Sequence, residues 1–448
     1  MNKERVKSII LALLIIFNLM LAEKILVDKK LWPSGYNFFN IRASHKSDYS
    51  IIGHLTLPEK IFVNTGYQSS RFEYLRNSED FTKIYAAANI ILQKAFSEPL
   101  KNAASVSSDS WYSALTAKSV YLSYPCRFSA QNFASLIGLT STELSFSGFS
   151  DIVISENGNV YIKDDITNSF YRIDISSSEI GAIIGVVSDE YQNEESVINY
   201  SFDLNFDKDF GDQKTFLSPM IPIYSAPVAA EVMISQNPIM RDEEINQKTI
   251  GGILTAFSIN PNTVRRYTEA DGSLVFVENN GILKISPQGV LSFTASDTGI
   301  KLSGVVSQST HSNISAIAEF IDKVNAATGI ESDMCVISPL ISDMEQSFTF
   351  DYIANGLPVK FDGQNAVTAK TENGYLAEYT QILRKYIHAG TTEQTPLYIE
   401  ALDDVIADYQ DSMSEISITK MQPAYLDDLS MDEKYPDWFI DIDNVIAQ

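Results

Sequence analysis

The side chains that could perform catalysis are few and widely spaced. The four histidines, His45, His54, His311 and His388, show no HExxH spacing, so the sequence predicts no metalloprotease helix. No GxSxG segment marks a nucleophilic serine, although a Ser-His-Asp triad assembled from distant segments stays open, because geometry defines it. Phosphate-binding GxGxxG and GxxxxGKS/T loops are also absent. The sequence therefore predicts no enzyme, no catalytic residue and no cofactor.

Alternating acidic residues could bind a cation, but they depart from calcium-loop spacing. Asp203, Asn205 and Asp207 match the first three ligand positions of such a loop. Lys208 stands where the loop needs glycine, and Lys214 stands where it needs glutamate. We therefore expect a solvated loop here and no metal site.

The two cysteines, Cys126 and Cys335, form no CxxC motif, which excludes a zinc site built on cysteine. An exported protein could pair them in a disulfide. Their distance in sequence favours two buried free thiols, and the sequence leaves the choice open.

The composition is that of an acidic folded protein. Of 448 residues, 45% are hydrophobic and 11% aromatic, and the formal net charge is −24. Apolar residues at this level can build cores, whereas the charge repels phosphate backbones and argues against nucleic-acid binding.

The first thirty residues have the pattern of a membrane anchor. Lys3, Arg5 and Lys7 precede an apolar run over residues 9–22, and residues 6–26 are just long enough to span a bilayer. The basic flank predicts a cytoplasmic N-terminus and an extracytoplasmic body. A cleaved signal peptide is the alternative, but the large Met20 makes a poor cleavage site, so we expect a retained single-pass helix in the cell membrane.

Three residues of this span are candidates for contact with another transmembrane helix. Asn18 places an amide within hydrocarbon, where a neighbouring helix often supplies its partner. Ser8 and Ala12 form a small-xxx-small pair that would let helices approach closely. Tolerance of Asn18 near the outer leaflet is the alternative.

The remaining chain predicts an α+β ectodomain of antiparallel meanders with packed helices. Tight-turn dipeptides such as Asp271-Gly272, Asn280-Gly281, Asn355-Gly356 and Asn373-Gly374 separate strand-like segments. We expect five parts: a cytoplasmic tip and anchor, a juxtamembrane linker, and N-terminal, central and C-terminal α+β domains, at residues 1–30, 31–44, 45–190, 191–303 and 304–448.

Local patterns predict individual elements within these parts. Residues 274–278, 282–286 and 290–295 read as a meander of three strands. Ser78 can cap a helix that buries Phe81 and Ile84, and Ser312 or Asn313 can cap another that ends near Gly329.

Several segments together suggest a family: residues 1–10 with the following apolar helix, and residues 111–115, 120–125, 266–283, 355–359, 373–379 and 436–440. They resemble the YycH regulatory proteins of Firmicutes, and the C-terminal third, the predicted domain at residues 304–448, also resembles their partner family, YycI. These segments stand in family order along most of the chain, while residues 197–250 match nothing identified.

The resemblance implies a non-enzymatic regulator of a two-component system. Such proteins are anchored by one helix and act, with a YycI-like protein, on the WalK (YycG-like) sensor histidine kinase that controls cell-wall homeostasis, through transmembrane and ectodomain contacts. An extracytoplasmic ligand-binding module that senses wall fragments or peptides is the alternative function. The direction of regulation, the signal, the role of residues 197–250 and homodimerisation of the body are left open.

Overall fold

The described part of the chain is a mixed α+β structure built mostly from antiparallel strands. This computed structural model describes residues 51–66, 71–97, 103–175, 198–204, 214–241, 244–303, 305, 308–409 and 415–444. All of them belong to one compact unit, residues 45–448. The predicted fold class is therefore confirmed for the body, and the predicted anchor at residues 6–26 lies outside the described residues. No helix among the described residues is both long and apolar enough to cross a bilayer.

A seven-stranded antiparallel sheet forms the N-terminal part. In spatial order its strands are β2 (Arg71–Leu75), β1 (Lys60–Asn64), β4 (Ser119–Phe128), β5 (Phe149–Ser155), β6 (Val160–Asp164), β7 (Ser169–Ile173) and β3 (Ala103–Val106). Three helices accompany it: α1 (Glu79–Ser97), α2 (Ser108–Thr116) and α3 (Ala130–Leu136). A 3-10 turn, Ile51–His54, precedes β1.

Both faces of the central strands of this sheet are buried, because their side chains alternate between two cores. Ile61 and Val63 of β1 pack in the main core with the apolar face of α1. Phe62, between them, points the other way into a second core with Trp111 of α2. The sheet is therefore an inner layer with apolar residues on each side.

A thirteen-stranded sheet dominates the rest of the body. Along its path run β14 (Arg265–Thr268), β15 (Leu274–Glu278), β16 (Gly281–Ile285), β17 (Val290–Ala295), β23 (Tyr375–Ile382), β22 (Val367–Glu372), β20 (Ser347–Ala354), β21 (Leu357–Phe361), β25 (Glu415–Asp427) and β27 (Pro436–Asn444). Beside this path, β18 (Ile300–Lys301) pairs with β23, β19 (Asp333–Val336) with β20, and β9 (Lys214–Leu217) with β25. Its pairs are antiparallel except β21 with β25 and β9 with β25.

Three helices lie in this part of the chain: α4 (Gln247–Ala256), α5 (Thr310–Thr328) and α6 (Tyr398–Tyr409). Ser309 caps α5, and Gly329 ends it in the left-handed conformation at φ 69°. Phe257, directly after α4, packs on Phe293 of β17 and Phe320 of α5. These aromatic contacts bury one face of the meander.

Short strands complete the body: β8 (Ile198–Tyr200) with β10 (Pro222–Tyr224), β12 (Met240–Arg241) with β13 (Glu244–Ile245), and β11 (Ala229–Gln236) between β24 (Lys385–Gln394) and β26 (Glu433–Lys434). A second 3-10 turn, Ser201–Asp203, follows β8.

The sheet runs across one of the predicted domain boundaries. Strand β17, before residue 303, pairs with β23, after it, in the register Phe293↔Tyr379. The five predicted parts stay predictions, and the central meander and the C-terminal strands share one sheet.

Candidate functional site

The site residues predicted from sequence belong to the N-terminal segment. All of them lie outside the described residues, so their roles stay predictions: Lys3, Arg5 and Lys7 for topology, and Ser8, Ala12 and Asn18 for helix contact.

A group of charged side chains, buried except for the half-buried Lys420, lies where strands of the seven-stranded sheet meet strands of the thirteen-stranded sheet. We call it the buried charge cluster, and its members are Glu59, Lys60, Glu73, Asp351, Lys360 and Lys420. Burying a charge is costly unless an opposite charge compensates it. Each member is paired in this way, so the cluster is a built feature of the fold.

Glu59 connects the N-terminal sheet to strand β25. Its Oε2 atom accepts a hydrogen bond of 2.7 Å from Lys420 Nζ, and its Oε1 atom accepts one of 3.0 Å from Gln422 Nε2. The backbone N–H of Glu59 also donates to the carbonyl of Ser123 on β4 at 2.8 Å. One residue is thus bound to two sheets at once.

The charge state of Glu59 follows from these partners. Burial by itself raises the pKa of this carboxyl group, but attraction to Lys420 and Lys360 and the hydrogen bond from Lys420 lower the pKa overall to about 2. Glu59 is therefore ionised at neutral pH although its side chain is only 4% exposed.

Lys60 and Glu73 form the second pair, completed by a tyrosine from another strand. Lys60 Nζ lies 3.0 Å from Glu73 Oε1 and donates to the Tyr224 hydroxyl at 2.9 Å. That hydroxyl in turn donates to Glu73 Oε2 at 2.9 Å. Burial, followed by repulsion from Glu73, raises the pKa of Tyr224 far above its usual value, so this hydroxyl stays a neutral donor.

The third pair lies within the larger sheet. Lys360 Nζ on β21 donates to Asp351 Oδ2 on β20 at 2.5 Å, and the same ammonium lies 5.0 Å from the ring centroid of Phe439 on β27. Burial alone lowers the pKa of Lys360, but the carboxylates of Asp351 and Glu59 raise it overall. Lys360 thus joins the third pair electrostatically to the first.

Two further buried arginines connect the N-terminal sheet to later segments. Arg71 Nη1 donates to Asp203 Oδ2 at 2.6 Å, and its guanidinium lies 4.4 Å from the Tyr200 ring centroid. Asp203 is the first residue of the segment that departs from calcium-loop spacing, and in the structure it pairs with Arg71. Asn205 and Asp207 of that segment lie outside the described residues.

Arg76 makes the other connection, to strand β19. Its Nη1 atom lies 3.3 Å from Asp333 Oδ2, while Asp333 Oδ1 is bonded to His54 Nδ1 at 2.6 Å. Burial alone raises the pKa of Asp333, but His54 and Arg76 lower it overall to about 2. Asp333 is therefore ionised and is shared by two basic side chains.

Together these pairs hold distant segments of the chain next to one another. Removing one partner from a buried pair leaves an uncompensated charge and typically costs about 3–5 kcal/mol. The pairs and their hydrogen bonds join residues 59–76 to three later segments: residues 200–224, strand β19 and strand β25. The N-terminal sheet and the larger sheet are therefore held together by ion pairs as well as by apolar packing.

The remaining reactive groups are an exposed histidine and two buried cysteines that lie near each other, since burial, followed by the influence of Cys335, raises the pKa of Cys126. His388 is bonded to the carboxylate of Glu231 on the surface, and Cys126 and Cys335 are buried free thiols, as the sequence favoured. Among the residues that the structure describes, no group of three or more His, Cys, Asp or Glu is arranged to hold a metal ion.

Sequence reasoning did not find the buried charge cluster. One signal was present: Glu59 and Lys60 stand directly before the apolar residues 61–63, where a strand of alternating or continuous apolar pattern begins. The partners come from distant segments, and no local spacing identifies them.

Comparison with solved structures identifies the architecture. The crystal structure of YycH from Bacillus subtilis superposes with a TM-score of 0.57 at 12% sequence identity, covering 87% of this chain and 96% of that one.

This chain has the YycH fold. The match extends over nearly the whole of the solved YycH structure, so the resemblance found in sequence is confirmed as a likeness of fold. An uncharacterized protein from Eubacterium rectale matches over 51% of this chain and 82% of that one, with a TM-score of 0.33 at 11% identity, which is too low to support an argument. No family model and no curated protein sequence matches this chain.

Proposed function

We propose that this chain is a membrane-anchored, extracytoplasmic regulator of a cell-wall-controlling sensor histidine kinase of the WalK (YycG-like) type. It acts without enzymatic chemistry, through contacts of its transmembrane helix and of its body. Its partners are the kinase and a YycI-like protein, and the body is also a candidate for homodimerisation. The N-terminus lies in the cytoplasm and residues 31–448 lie outside the membrane.

The YycH fold is the observation that carries this proposal. The match covers 87% of the chain, and at 12% sequence identity it shows a likeness of fold alone. The sequence adds the segments in YycH order and an N-terminal pattern of basic flank and apolar run. Together with the fold, the order of motifs and the anchor pattern support this function.

The mechanism requires differential binding. A regulator shifts the kinase between signalling states only if it binds one state better than the other, and a difference of about 1–3 kcal/mol changes the populations several-fold or more. Helix contacts at Ser8, Ala12 and Asn18 would supply part of this difference. Contacts of the body with the kinase or with the YycI-like protein would supply the rest.

Replacement of the transmembrane segment tests the proposal. Residues 8–26 are exchanged for an unrelated apolar helix of the same length, with Lys3, Arg5 and Lys7 retained to preserve topology. We expect kinase autophosphorylation in membranes and expression of cell-wall genes to change, while protein level stays equal. Unchanged signalling at equal level would contradict regulation through helix contacts.

A smaller change serves as the matched test of specific residues. Asn18→Leu and Ala12→Leu should weaken co-purification of the kinase, whereas Leu13→Ile should not, because it keeps both size and polarity. Topology is tested with a reporter enzyme that is active only when it is exported. It should be active when fused after residue 448 and inactive when fused after residue 5.

A further inference from the structure

Strand β14 is an open edge of the thirteen-stranded sheet. It pairs with β15 in the register Arg265↔Val277 to Thr268↔Leu274, and it stands at the end of the strand order in the described part of the chain. All four of its residues are exposed. Its side away from β15 is therefore accessible along its whole length.

The turn after β14 determines which backbone groups point to this open side. The N–H of Glu269 donates to the carbonyl of Ser273 at 2.9 Å, and the N–H of Gly272 donates to the carbonyl of Glu269 at 3.0 Å. Hydrogen-bonded and non-hydrogen-bonded pairs alternate along an antiparallel ladder. Counting back from Glu269, Tyr267 and Arg265 bond to β15.

Arg266 and Thr268 consequently direct their N–H and C=O groups outward. This gives two donors and two acceptors in a row, which is the template that an extended segment needs to add as a further strand. Among peptide-recognition modes, such strand addition obtains its affinity from the main chain and its selectivity from alternate side chains.

The side chains of β14 give this edge a positive charge. Arg265 and Arg266 are exposed, and no ion pair within 4 Å is found for either guanidinium among the described residues. By contrast, Lys284 on the neighbouring β16 is already paired with Glu269 at 2.6 Å and Asp271 at 3.5 Å. Two adjacent unpaired arginines are unusual for a chain of net charge −24 and select for a negative partner.

An aromatic side chain completes the surface. Tyr267 is 53% exposed and shares its sheet face with Arg265, because residues two apart on a strand point the same way. Across the sheet, Ile282 on β16 is 44% exposed on that same face. Apolar side chains of an added strand would find contacts there.

A second copy of this chain is a poor occupant of the edge. Two-fold pairing of β14 with itself would place four guanidinium groups at neighbouring positions, and two bodies of strongly negative charge would repel each other. We propose that β14 is the docking edge for an extended acidic segment of a partner protein, which adds to the sheet as an extra strand. This proposal does not depend on the kinase-regulating function.

Fluorescence anisotropy with a defined probe tests it. The probe is a fluorescein-labelled, end-blocked octapeptide of alternating glutamate and valine, and the control peptide replaces glutamate by lysine. With the full chain in detergent micelles, we expect the glutamate peptide to bind at least about tenfold more tightly than the lysine peptide. Salt should weaken this binding, because the contacts are charged and exposed.

Two variants address the edge separately. Arg265→Glu with Arg266→Glu should weaken the glutamate peptide at least about tenfold. The matched control, Lys248→Glu with Lys301→Glu, makes the same change of charge at exposed positions elsewhere and should alter affinity less than about twofold. Thr268→Pro removes only an outward N–H, which edge strands tolerate, and should also weaken binding about fivefold.

Amide hydrogen exchange tests whether the added strand bonds to the backbone of β14. Amides of Arg266 and Thr268 should become protected when the glutamate peptide is present. Equal binding of the two peptides, undiminished binding by the arginine variants, or unchanged exchange at these amides would overturn the proposal. A dimer in sedimentation that the arginine variants dissociate would assign the edge to a second copy instead. If the double variant Arg265→Glu with Arg266→Glu does not fold, the neutral double variant Arg265→Gln with Arg266→Gln is measured in its place.

Discussion

Lys420 on β25 donates a hydrogen bond of 2.7 Å to Glu59, which lies 361 positions earlier in the chain and immediately before β1. This contact joins the N-terminal sheet to the larger sheet and places a positive charge beside the buried carboxylate. Because the Glu59 side chain is buried, breaking this pair should cost more stability than breaking an ordinary surface ion pair.

Removal of the charge on Glu59 should destabilise the body strongly. Glu59→Gln keeps the size of the side chain but leaves Lys420 without its buried counter-charge, so we expect a loss of about 3 kcal/mol in the free energy of unfolding. Urea denaturation followed by tryptophan fluorescence measures it, since Trp111 and Trp438 are both buried. The control is Glu79→Gln, which breaks an exposed pair with Lys83 and should cost less than about 0.5 kcal/mol. Similar losses in both variants would contradict a special role for Glu59.

Acid should weaken the fold through the same carboxylates. The pKa of Glu59 is lowered from 4.5 to about 2 and that of Asp333 from 3.8 to about 2 in the folded protein. A lowered folded pKa stabilises the protein above the unfolded pKa, and this stabilisation is lost as pH falls towards the folded pKa. For Glu59 the contribution is on the order of 3 kcal/mol.

Urea midpoints measured between neutral pH and the acid range test this dependence. The midpoint should decline as the pH falls below about 4.5, and the decline should be shallower in Glu59→Gln, which has no carboxyl to protonate. Parallel pH profiles for the two proteins would show that the pKa of Glu59 does not differ between folded and unfolded states.

The two thiols should be unreactive in the folded protein. Cys126 and Cys335 are buried, and burial raises the pKa of Cys335 to about 12 and that of Cys126 as well. Since the thiolate is the reactive form, a thiol-specific reagent should label neither residue before unfolding and both in urea. Ser108→Cys, at an exposed helix position, is the positive control and should be labelled in the native state. Rapid native labelling of the unsubstituted chain is the contrary result.

Two glycines should respond oppositely to alanine. Gly299 has a φ of +81°, and a Cβ there would lie 2.2 Å from the carbonyl oxygen of Leu376, so Gly299→Ala should destabilise by more than about 1 kcal/mol. Gly251 lies inside α4 with open space around its Cβ position, so Gly251→Ala should stabilise by about 0.5–1 kcal/mol. Thermal unfolding compares them, and a shared direction of change would refute the packing argument.

Local patterns predicted local structure well. Strands β15 and β17 have the predicted bounds, and α1 begins after Ser78, whose hydroxyl accepts from the N–H of Phe81. Asn355-Gly356 and Asn373-Gly374 both adopt positive φ at their hairpins. In such segments the side-chain period and the turn residues carry the whole signal.

Errors of a few residues occurred at element ends. Helix α5 is capped by Ser309 and not by Ser312 or Asn313, because three serines or asparagines nearby can all accept the N-terminal N–H groups. Gly281 was predicted in the turn but is already the first residue of β16, which spans Gly281–Ile285 and is therefore shifted by one position towards the N-terminus from the predicted 282–286. These corrections leave the predicted elements and their order intact.

The arrangement of distant elements could not be predicted. The pairing of β17 with β23 and the parallel pairing of β21 with β25 depend on segments far apart in sequence. The buried charge cluster arises from the same long-range contacts, so its members look like ordinary surface charges in the sequence. No local sequence pattern predicts that Lys420 pairs with Glu59, because the two residues are 361 positions apart.

The spacing of this pair has a consequence for biogenesis. A ribosome adding about 5–20 residues per second needs on the order of 20–70 s to reach Lys420 after it has made Glu59. During that interval the early strands carry acidic and basic groups whose counterparts do not yet exist. The early part of the body therefore stays incompletely folded during this interval. A polypeptide that terminates before β25 would lack the residue that pairs with Glu59.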